Sequence, residues 1–301
     1  MTPGSGHLTG DQGNPTTLAA WGPERAGDVA ALVDRVLPDE NLTESDLARC
    51  LWDDTTPTLV VAAAGGEGVA AAVVRDVERR RFAAVQLIAV APQARRRGHG
   101  RALLEHLKEW AFDEHGAQAL LAGGAAPFYL WPGVDVRSTP ALCLFERLDF
   151  TPTGVALNMT YPSSHRSRVP DGLVLRRAER PEDVDACLAF VARHWPDWVL
   201  ETERALDRRT CLVAVDDAAT VRGFACHSVS REGWLGPMGT EPGQRHTGLG
   251  KALLGAIAAD VQARGQDSVE VSWLGPVGFY ANGAGATMSR AFQTMTLRRP
   301  D

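Results

Sequence analysis

Residues 242–254 read PGQRHTGLGKALL, and this stretch decides the interpretation of the whole chain. Gly248 and Gly250 stand in the spacing R-x-x-G-x-G, directly before a helical pattern that begins at Lys251. The run before them, residues 234–240, predicts a strand. Glycine lets the backbone approach a phosphate and adopt a positive φ, and the first N–H groups of a helix attract anions. The stretch therefore predicts an anion-binding turn between a strand and a helix.

The same phrase occurs 150 residues earlier in the chain. Residues 92–104 read PQARRRGHGRALL, so Gly98 and Gly100 correspond to Gly248 and Gly250. This copy also follows an apolar run and precedes a helical pattern. A repeat period this long is typical of a duplicated domain and not of a solenoid unit. We therefore predict two copies of one fold.

The composition is that of a soluble globular protein of ordinary domain size. The chain has 301 residues, of which 45% are hydrophobic and 23% charged, which is enough for two domains. A net charge of −6 argues against a nucleic-acid partner. No apolar run approaches the roughly 20 residues that a membrane span needs. The five cysteines are scattered without a C-x-x-C, which predicts reduced core thiols in a cytoplasmic protein, and no cluster has metal-ligand spacing.

The order of predicted elements divides the chain into two similar halves. Residues 1–17 lack an apolar segment and are interpreted as a disordered leader, not a signal peptide. A polar linker bracketed by prolines, residues 162–172, separates an N-terminal domain at 18–161 from a C-terminal domain at 173–301. Each half combines early helices and antiparallel hairpins with one late strand–helix–strand crossover. The predicted fold class is α/β with a mixed sheet in each half.

The order of these elements resembles the GNAT acetyltransferase superfamily. It consists of a strand, the pattern P-x-x-R-x-x-G-x-G, a helix, a second strand, and then F-Y before a closing strand. The chain resembles a tandem GNAT protein over residues 18–161 and 171–300. The resemblance implies a sheet splayed at the strand before the helix, with acetyl-CoA in the splay, its pyrophosphate on the turn and its pantetheine beside the strand. The residues implied to bind coenzyme are Met238, Gly239, Thr240, Arg245, His246, Thr247, Gly248, Leu249, Gly250 and Lys251 in the second repeat, and Val90, Arg95, Arg96, Arg97, Gly98, His99, Gly100 and Arg101 in the first.

Other phosphate-binding folds fit the sequence less well. A P-loop is excluded because no G-x-x-x-x-G-K-[ST] occurs. A dinucleotide-binding fold is disfavoured because its glycines follow the first strand, whereas here the turn comes late in each repeat. A glycine turn that only tightens a strand–helix joint remains an alternative for each copy.

The resemblance also distinguishes the two repeats. In this family a tyrosine after the next strand often protonates the leaving thiolate, and Tyr280 stands in a similar F-Y-x-x-x-G-[AF] pattern. A phenol titrates near ~10 and a thiol near ~8.5, so a protonated tyrosine can donate. The first repeat has Phe145 at that place, which cannot donate a proton, and whether Tyr129 substitutes is open. We predict that the second repeat is catalytic and that the first binds coenzyme without turnover or lends a wall to the substrate site. A packing role for Tyr280 is the alternative.

The acceptor amine must lose a proton before it can attack. Glu270 and His227 are the preferred candidate bases in the second repeat, although a structural or solvated role is the commoner one for each residue type. Further candidates are Ser272, Glu232, Glu241 and a water held by the backbone.

Aromatic residues next to carboxylates suggest the acceptor class. They cluster around Phe128, Tyr129 and Trp131 and around Trp195 and Trp198, an arrangement that suits an aminosugar or that simply packs in a core. The chain resembles tandem GNAT proteins that acetylate glucosamine and glucosaminides, and mycothiol synthase is another tandem member with an aminosugar-linked acceptor. We predict an acetyl-CoA-dependent N-acetyltransferase of a small amine, acting by direct attack in a ternary complex as a monomer or homodimer. A non-catalytic acyl-CoA-binding regulator and a protein or peptide acetyltransferase are the alternatives.

Overall fold

The computed structural model describes residues 17–52, 55–77, 80–244 and 246–299. The predicted leader, apart from Thr17, and the implied coenzyme residue Arg245 lie outside these residues. No helix in the described ranges is long and apolar enough to cross a membrane.

The helices occur where the 3.6-residue periodicity predicts them. Within the described residues they are α1 (Ala26–Val36), α2 (Glu44–Leu51), α3 (His99–Glu109), α4 (Thr139–Glu146), α5 (Pro181–His194), α6 (Val199–Asp207), α7 (Leu249–Ala263) and α8 (Val277–Ala284). The predicted cap of α2 is confirmed: Thr43 Oγ1 accepts a hydrogen bond from the Asp46 N–H at 3.0 Å, and the Asp46 carboxylate accepts from the Thr43 N–H at 3.1 Å.

The strands of the described residues form one mixed sheet. They are β1 (Leu18–Ala20), β2 (Thr58–Ala63), β3 (Gly68–Val77), β4 (Arg80–Val90), β5 (Ala119–Ala122), β6 (Val134–Asp135), β7 (Thr151–Pro162), β8 (Leu173–Arg177), β9 (Cys211–Asp216), β10 (Val221–His227), β11 (Trp234–Thr240), β12 (Ser268–Val271) and β13 (Thr287–Arg298). The sequence did not predict β1 and β6, because three and two residues are too short to show a period.

The two repeats exchange their last strands within this sheet. The strand order is β1-β2-β3-β4-β5-β13-β7-β12-β11-β10-β9-β8, and β6 pairs with β13. Strand β7, which closes the first repeat in sequence, lies next to β12 of the second repeat. Strand β13, which closes the second repeat, lies next to β5 of the first. The exchanged strands also pair with each other from Thr287↔Thr160 to Thr296↔Thr151, so one continuous sheet spans both repeats.

Helices cover both faces of the sheet. Buried side chains of α1, α2, α5 and α6 form one shared core. Separate cores form under α3 with α4 and under α7 with α8. Neighbouring strand residues such as Val60 and Val61 belong to different cores because successive side chains point to opposite faces. The two glycine turns therefore lie at helices of one face of the sheet, and α1, α2, α5 and α6 cover the opposite face.

Candidate functional site

Both glycine turns have the same backbone geometry. His246 and Gly248 have φ values of 65° and 94° before α7, and Arg96 and Gly98 have values of 64° and 87° before α3. An added Cβ at Gly98 would meet nothing within 4 Å, and one at Gly248 would meet only Pro170, at 4.0 Å. Open space therefore lies in front of each turn and of the unpaired first N–H groups of each helix. These turns fit the pyrophosphate of a coenzyme.

The second glycine of each motif serves close packing. An added Cβ at Gly250 would lie 2.9 Å from the Phe279 ring, and one at Gly100 would lie 3.1 Å from Leu144. Phe279 belongs to α8 and Leu144 to α4. The second glycines thus let these short helices approach the start of α7 and α3.

The sheet opens beside each turn. Strand β4 pairs with β5 only from Ala83 to Val85, although β4 continues to Val90. Strand β11 pairs with β12 only at Trp234 and Leu235, although β11 continues to Thr240. We call the gap between β4 and β5 the first splay and the gap between β11 and β12 the second splay. Each splay leaves one edge of the longer strand free to pair with an extended ligand.

The other implied coenzyme residues surround these two turns. Leu249 is fully buried in the core under α7, so only its backbone faces the turn. The remaining polar side chains with exposed positions are Arg95, Arg96, Arg97 and Arg101 in the first repeat and His246, Thr247 and Lys251 in the second. Met238, Gly239 and Thr240 form the free edge of β11, and Val90 ends β4, with its carbonyl accepting a hydrogen bond from Arg95 Nε at 3.1 Å.

Tyr280 lies on α8, next to the second turn. Its ring meets the Phe279 ring edge-on at 4.9 Å, and Phe279 packs against Gly250. Both rings pack against the core under α7 together with Met238 of β11. Burial raises the pKa of Tyr280, so its hydroxyl stays protonated at neutral pH and can act as a donor.

The first splay contains a cavity of about 100 Å³. Phe145 lines it, is buried against Phe150 and offers no proton donor. Gln86 also lines it: its Nε2 donates to the Gly124 carbonyl at 3.2 Å, and its buried Oε1 has no hydrogen-bond partner among the described residues. The Oε1 of Gln86 is therefore an acceptor open to the cavity, between apolar side chains such as Val85 and Phe145.

Glu40, Asp135 and Arg290 form the charged wall of this cavity. Glu40 accepts hydrogen bonds from Arg290 at 2.5 and 2.8 Å, from Arg231 at 2.9 Å and from Trp131 Nε1 at 2.9 Å. Burial alone would raise the pKa of Glu40, but hydrogen bonding and charge from Arg290 and the charge of Arg231 outweigh it and hold the pKa below its usual value. The carboxylate is thus ionised and joins both halves of the chain.

Tyr129 lies at the second splay, although it belongs to the first repeat in sequence. Its hydroxyl donates to Ser272 Oγ at 3.3 Å, directly after the end of β12. Its ring lies 5.5 Å from that of Trp273 and 6.1 Å from that of Trp234. Burial raises the pKa of Tyr129 far above its usual value, so the hydroxyl stays protonated. The structure thus answers the open question about Tyr129: its side chain is not in the place of Phe145.

Glu270 also reaches the second splay, where β7 holds it. Asn158 Nδ2 donates to Glu270 Oε1 at 2.5 Å, and Asn158 Oδ1 accepts from the Trp273 N–H at 3.0 Å. Trp273 has a positive φ of 46°, which is rare for a bulky residue, and is 45% exposed. An exposed indole held in a strained backbone at the mouth of a splay is typical of a binding surface.

His227 is not brought to either splay in an accessible form. It is fully buried, with Nε2 2.7 Å from Asp260 and Nδ1 2.9 Å from Ser228 Oγ. Burial and the nearby charges of Arg264 and Arg177 lower the pKa of His227 to about 3. Asp260 lies near the end of α7 opposite the coenzyme turn. Both ring nitrogens are occupied, which corrects the preference for His227 as a base and favours a structural role.

The two other carboxylates considered as bases also have structural partners. Glu232 accepts a hydrogen bond from Ser228 Oγ at 3.1 Å and lies 3.6 Å from Arg208. Glu241 accepts from Arg222 at 2.7 Å. Both therefore belong to ion pairs within the second repeat.

The second aromatic cluster packs over the free strand. The rings of Trp195 and Trp198 stack at 5.4 Å and 16°, and an added Cβ at Gly239 would lie 2.5 Å from Trp195. Gly239 is thus required for Trp195 to lie on β11. Sequence reasoning treated these tryptophans as candidate sugar contacts, whereas the structure uses Trp195 mainly to cover the strand beside the second splay.

One partly buried carboxylate on α6 was missed in the sequence. Glu201 lies in the first turn of α6 and is partly buried. Burial raises the pKa of Glu201 to about 8. The periodic pattern of α6 identifies a surface helix but does not show what its partly buried side faces, so the sequence carried no usable signal for this residue.

Known proteins resemble parts of this chain. The model of the acetyltransferase (GNAT) family matches residues 28–130, within the first repeat. Mycothiol acetyltransferase of Salinispora tropica is 30% identical over 204 residues, covering 60% of this chain and 62% of that protein. Mycothiol acetyltransferase of Thermomonospora curvata is 29% identical over 184 residues, covering 55% of this chain and 57% of that protein. The chain thus spans about three fifths of the length of these curated relatives.

Solved structures share the fold across both repeats. The GCN5-related glucosamine N-acetyltransferase region of a fungal multi-domain β-N-acetylglucosaminidase gives a TM-score of 0.74 at 18% identity, covering 94% of this chain and 38% of that chain. A tandem GNAT protein from the clavulanic acid biosynthesis pathway gives 0.71 at 18% identity, covering 95% of this chain and 99% of that chain. A GCN5-related N-acetyltransferase from Sphaerobacter thermophilus gives 0.67 at 20% identity, with coverages of 95% and 97%. At these identities the likeness concerns the fold alone.

Proposed function

We propose that the chain is a GNAT acetyltransferase that transfers an acetyl group from acetyl-CoA to a primary amine of a small molecule. One observation carries this proposal: the second splay has an open glycine turn at one end and Tyr280, Glu270 and Tyr129 around it. Acetyl-CoA would supply an activated acyl group as a thioester. The chain's own residues would hold its phosphates, position the acceptor beside it and move protons.

The second repeat is the catalytic one in this proposal. Tyr280 is protonated and lies beside the turn, so it can donate a proton to the departing thiolate. Phe145 at the corresponding place of the first repeat cannot. Backbone groups of Met238 to Thr240 would pair with the pantetheine arm, and the N–H groups at the start of α7 would bind the pyrophosphate.

The first repeat has two roles in this proposal. It provides Tyr129, whose side chain would form one wall of the acceptor site in the second splay. The hydroxyl of Tyr129 donates a hydrogen bond to Ser272 there. Its own open turn and the free Oε1 of Gln86 in the cavity suit a second coenzyme that is bound without turnover. Binding of two coenzymes per chain, with one lost on Gly248→Asp, is the expected stoichiometry.

We propose an aminosugar or an amine linked to a sugar as the acceptor. The relatives are named for mycothiol and the fungal region for glucosamine. In this chain, carboxylates and indole faces meet at the second splay, which suits a cation attached to a flat, partly apolar ring.

A screen for release of coenzyme thiol tests the activity. Acetyl-CoA is mixed with the full chain and, separately, with aminosugars, amino acids, polyamines, aminoglycosides and a lysine peptide. We expect thiol release with at least one small amine and fastest release with aminosugars. Binding of acetyl-CoA without release for any acceptor supports the regulatory alternative, and release only with the peptide supports the peptide acetyltransferase.

Tyr280→Phe tests the proton donor. The variant keeps the ring packing on Phe279 but loses the hydroxyl, so we expect turnover to fall by about 10²-fold while the dissociation constant of acetyl-CoA stays within about twofold. Steady-state kinetics and calorimetric binding measure the two quantities. Unchanged turnover removes Tyr280 from the mechanism.

A further inference from the structure

Glu201 is a partly buried carboxylate on the side of α6 that packs towards the segment carrying Tyr129. Glu201 and Arg204 are three residues apart on α6 and therefore lie on the same side of the helix. The Arg204 guanidinium lies 5.8 Å from the Phe128 ring centroid, and Phe128 directly precedes Tyr129. The side of α6 that carries Glu201 thus packs towards the segment that delivers Tyr129.

Glu201 is close enough to Tyr129 to interact with it electrostatically. Its negative charge acts on the hydroxyl of Tyr129 and on the thiol of Cys226 in β10. Glu270 of β12 acts on the same Tyr129 hydroxyl, which bonds Ser272. Tyr129 is therefore within electrostatic range of two carboxylates, one from α6 and one from β12.

The two carboxylates differ in their bonding. Glu270 accepts a hydrogen bond from Asn158. Glu201 has no hydrogen bond or ion pair with any residue that the structure describes, and desolvation is the cause of its raised pKa. A desolvated carboxylate without a partner costs stability, so its retention points to a role in binding or catalysis.

We propose that Glu201 is the residue that takes the proton from the acceptor amine in the second splay. The inference rests on the proposed acetyltransferase function and deepens it. The acceptor ammonium loses one proton to the Glu201 carboxylate, and the neutral nitrogen then bonds to the acetyl carbon as the carbon–sulfur bond breaks. The second nitrogen proton ends on the departing thiolate, and Glu201 releases its proton to water. Glu270, held by Asn158, then binds and orients the cation.

The pH dependence follows from the groups around Glu201. These are Arg204 on its own helix, Tyr129 of the loop, Cys226 of β10 and Glu270 of β12, and the pKa values of Tyr129 and Cys226 are raised by burial, so neither titrates near neutral pH. A base with a pKa of about 8 is active only when ionised. The kcat/KM for the acceptor is therefore expected to rise with pH through about 8.

Glu201→Gln tests the assignment against Glu203→Gln. Glu203 is an exposed carboxylate on the same helix and serves as a matched control. With acetyl-CoA and glucosamine as probes, we expect Glu201→Gln to lower kcat/KM by about 10²- to 10³-fold and to remove the pH dependence near 8. The acceptor amine ionises in the pH profiles of both the wild type and Glu201→Gln. The difference between these two profiles therefore reports the ionisation of Glu201 alone. The control should match the wild type, and Glu201→Asp should restore part of the rate.

A stability measurement tests the premise that Glu201 is buried and ionisable, even where glucosamine reacts slowly. Because the folded pKa of Glu201 is raised, the folded state binds more protons than the unfolded state between about pH 4.5 and 8, and stability falls as pH rises through that window. Glu201→Gln should therefore have a Tm above that of the wild type at pH 8 and a similar Tm at pH 4.5.

Three outcomes separate the proposals. An unchanged rate and pH profile in Glu201→Gln, with an active wild type, overturns the role of Glu201 and leaves the acetyltransferase function intact. If the Tm difference between Glu201→Gln and the wild type is the same at pH 4.5 and at pH 8, the claim that Glu201 is buried with a raised pKa is overturned. A wild type that transfers acetyl to no amine overturns the proposed function itself, and the role of Glu201 with it.

Discussion

At the residue scale, the two glycines of each motif have different physical roles. Gly98 and Gly248 adopt a positive φ and face open space, so they shape the anion-binding turn. Gly100 and Gly250 contact α4 and α8, so they permit close packing of the helix that carries Phe145 or Tyr280. The repeated G-x-G therefore encodes both the open turn and the distance from it of the helix that carries Phe145 or Tyr280.

Gly248→Asp is expected to weaken acetyl-CoA binding to the second repeat by at least about tenfold. The substitution forces a side chain into the left-handed region and places a negative charge where phosphate would bind. Gly265→Asp is the control, since Gly265 also has a positive φ, of 83°, and open surroundings, but lies beyond the other end of α7. Calorimetric titration with acetyl-CoA measures both. Equal affinities in the two variants contradict the turn assignment.

At the element scale, the exchanged strands make each splay depend on the other repeat. Strand β7 comes from the first repeat but carries Asn158, which holds both Glu270 and the backbone of Trp273 at the second splay. Strand β13 comes from the second repeat but carries Arg290, which lines the cavity of the first splay. Neither site is completed by one sequence repeat alone.

Asn158→Asp is expected to destabilise the chain in a pH-dependent way. Asn158 is fully buried, so the new carboxylate would face Glu270 in a desolvated place, and its pKa would rise. The stability loss is expected to be about 2–4 kcal/mol at pH 7 and to shrink as pH falls and the pair takes up a proton. Thermal unfolding from pH 4 to 8 measures it, with the exposed Asn41→Asp as control. A loss that does not vary with pH argues against direct contact of the two carboxylates.

At the scale of the whole molecule, one buried carboxylate ties the two halves together. Glu40 precedes α2 in the first half, whereas its partners Arg231 and Arg290 come from the second. The side chains of Glu40, Arg231 and Arg290 are only 11%, 8% and 12% exposed. Because the charges are desolvated, each depends on its partners, and loss of Glu40 leaves two arginines with too few acceptors.

Glu40→Ala is expected to lower the free energy of unfolding by about 3–5 kcal/mol. The exposed neighbour Asp39 provides the control, since Asp39→Ala should change stability by less than about 0.5 kcal/mol. Because the pKa of Glu40 is held low, the wild-type advantage should persist at neutral pH and disappear as pH falls through that low pKa. Denaturant unfolding at pH 7 and pH 3 checks both statements. If Glu40→Ala lowers the free energy of unfolding no more than Asp39→Ala does, the ion pairs of Glu40 with Arg231 and Arg290 make no net contribution to stability.

The sequence alone determined the elements, the duplication and the two glycine turns, because these depend on local periodicity and on conformations that glycine adopts most readily. It placed β11 at Trp234–Thr240 and α2 behind the Thr43 cap. Only the tertiary structure decided that β7 and β13 are exchanged and that Tyr129 reaches Ser272, 143 residues away. It likewise buried His227 and brought Glu201 within electrostatic range of Tyr129. Such contacts depend on how sheet edges and helix faces meet across the two repeats, which no local pattern records.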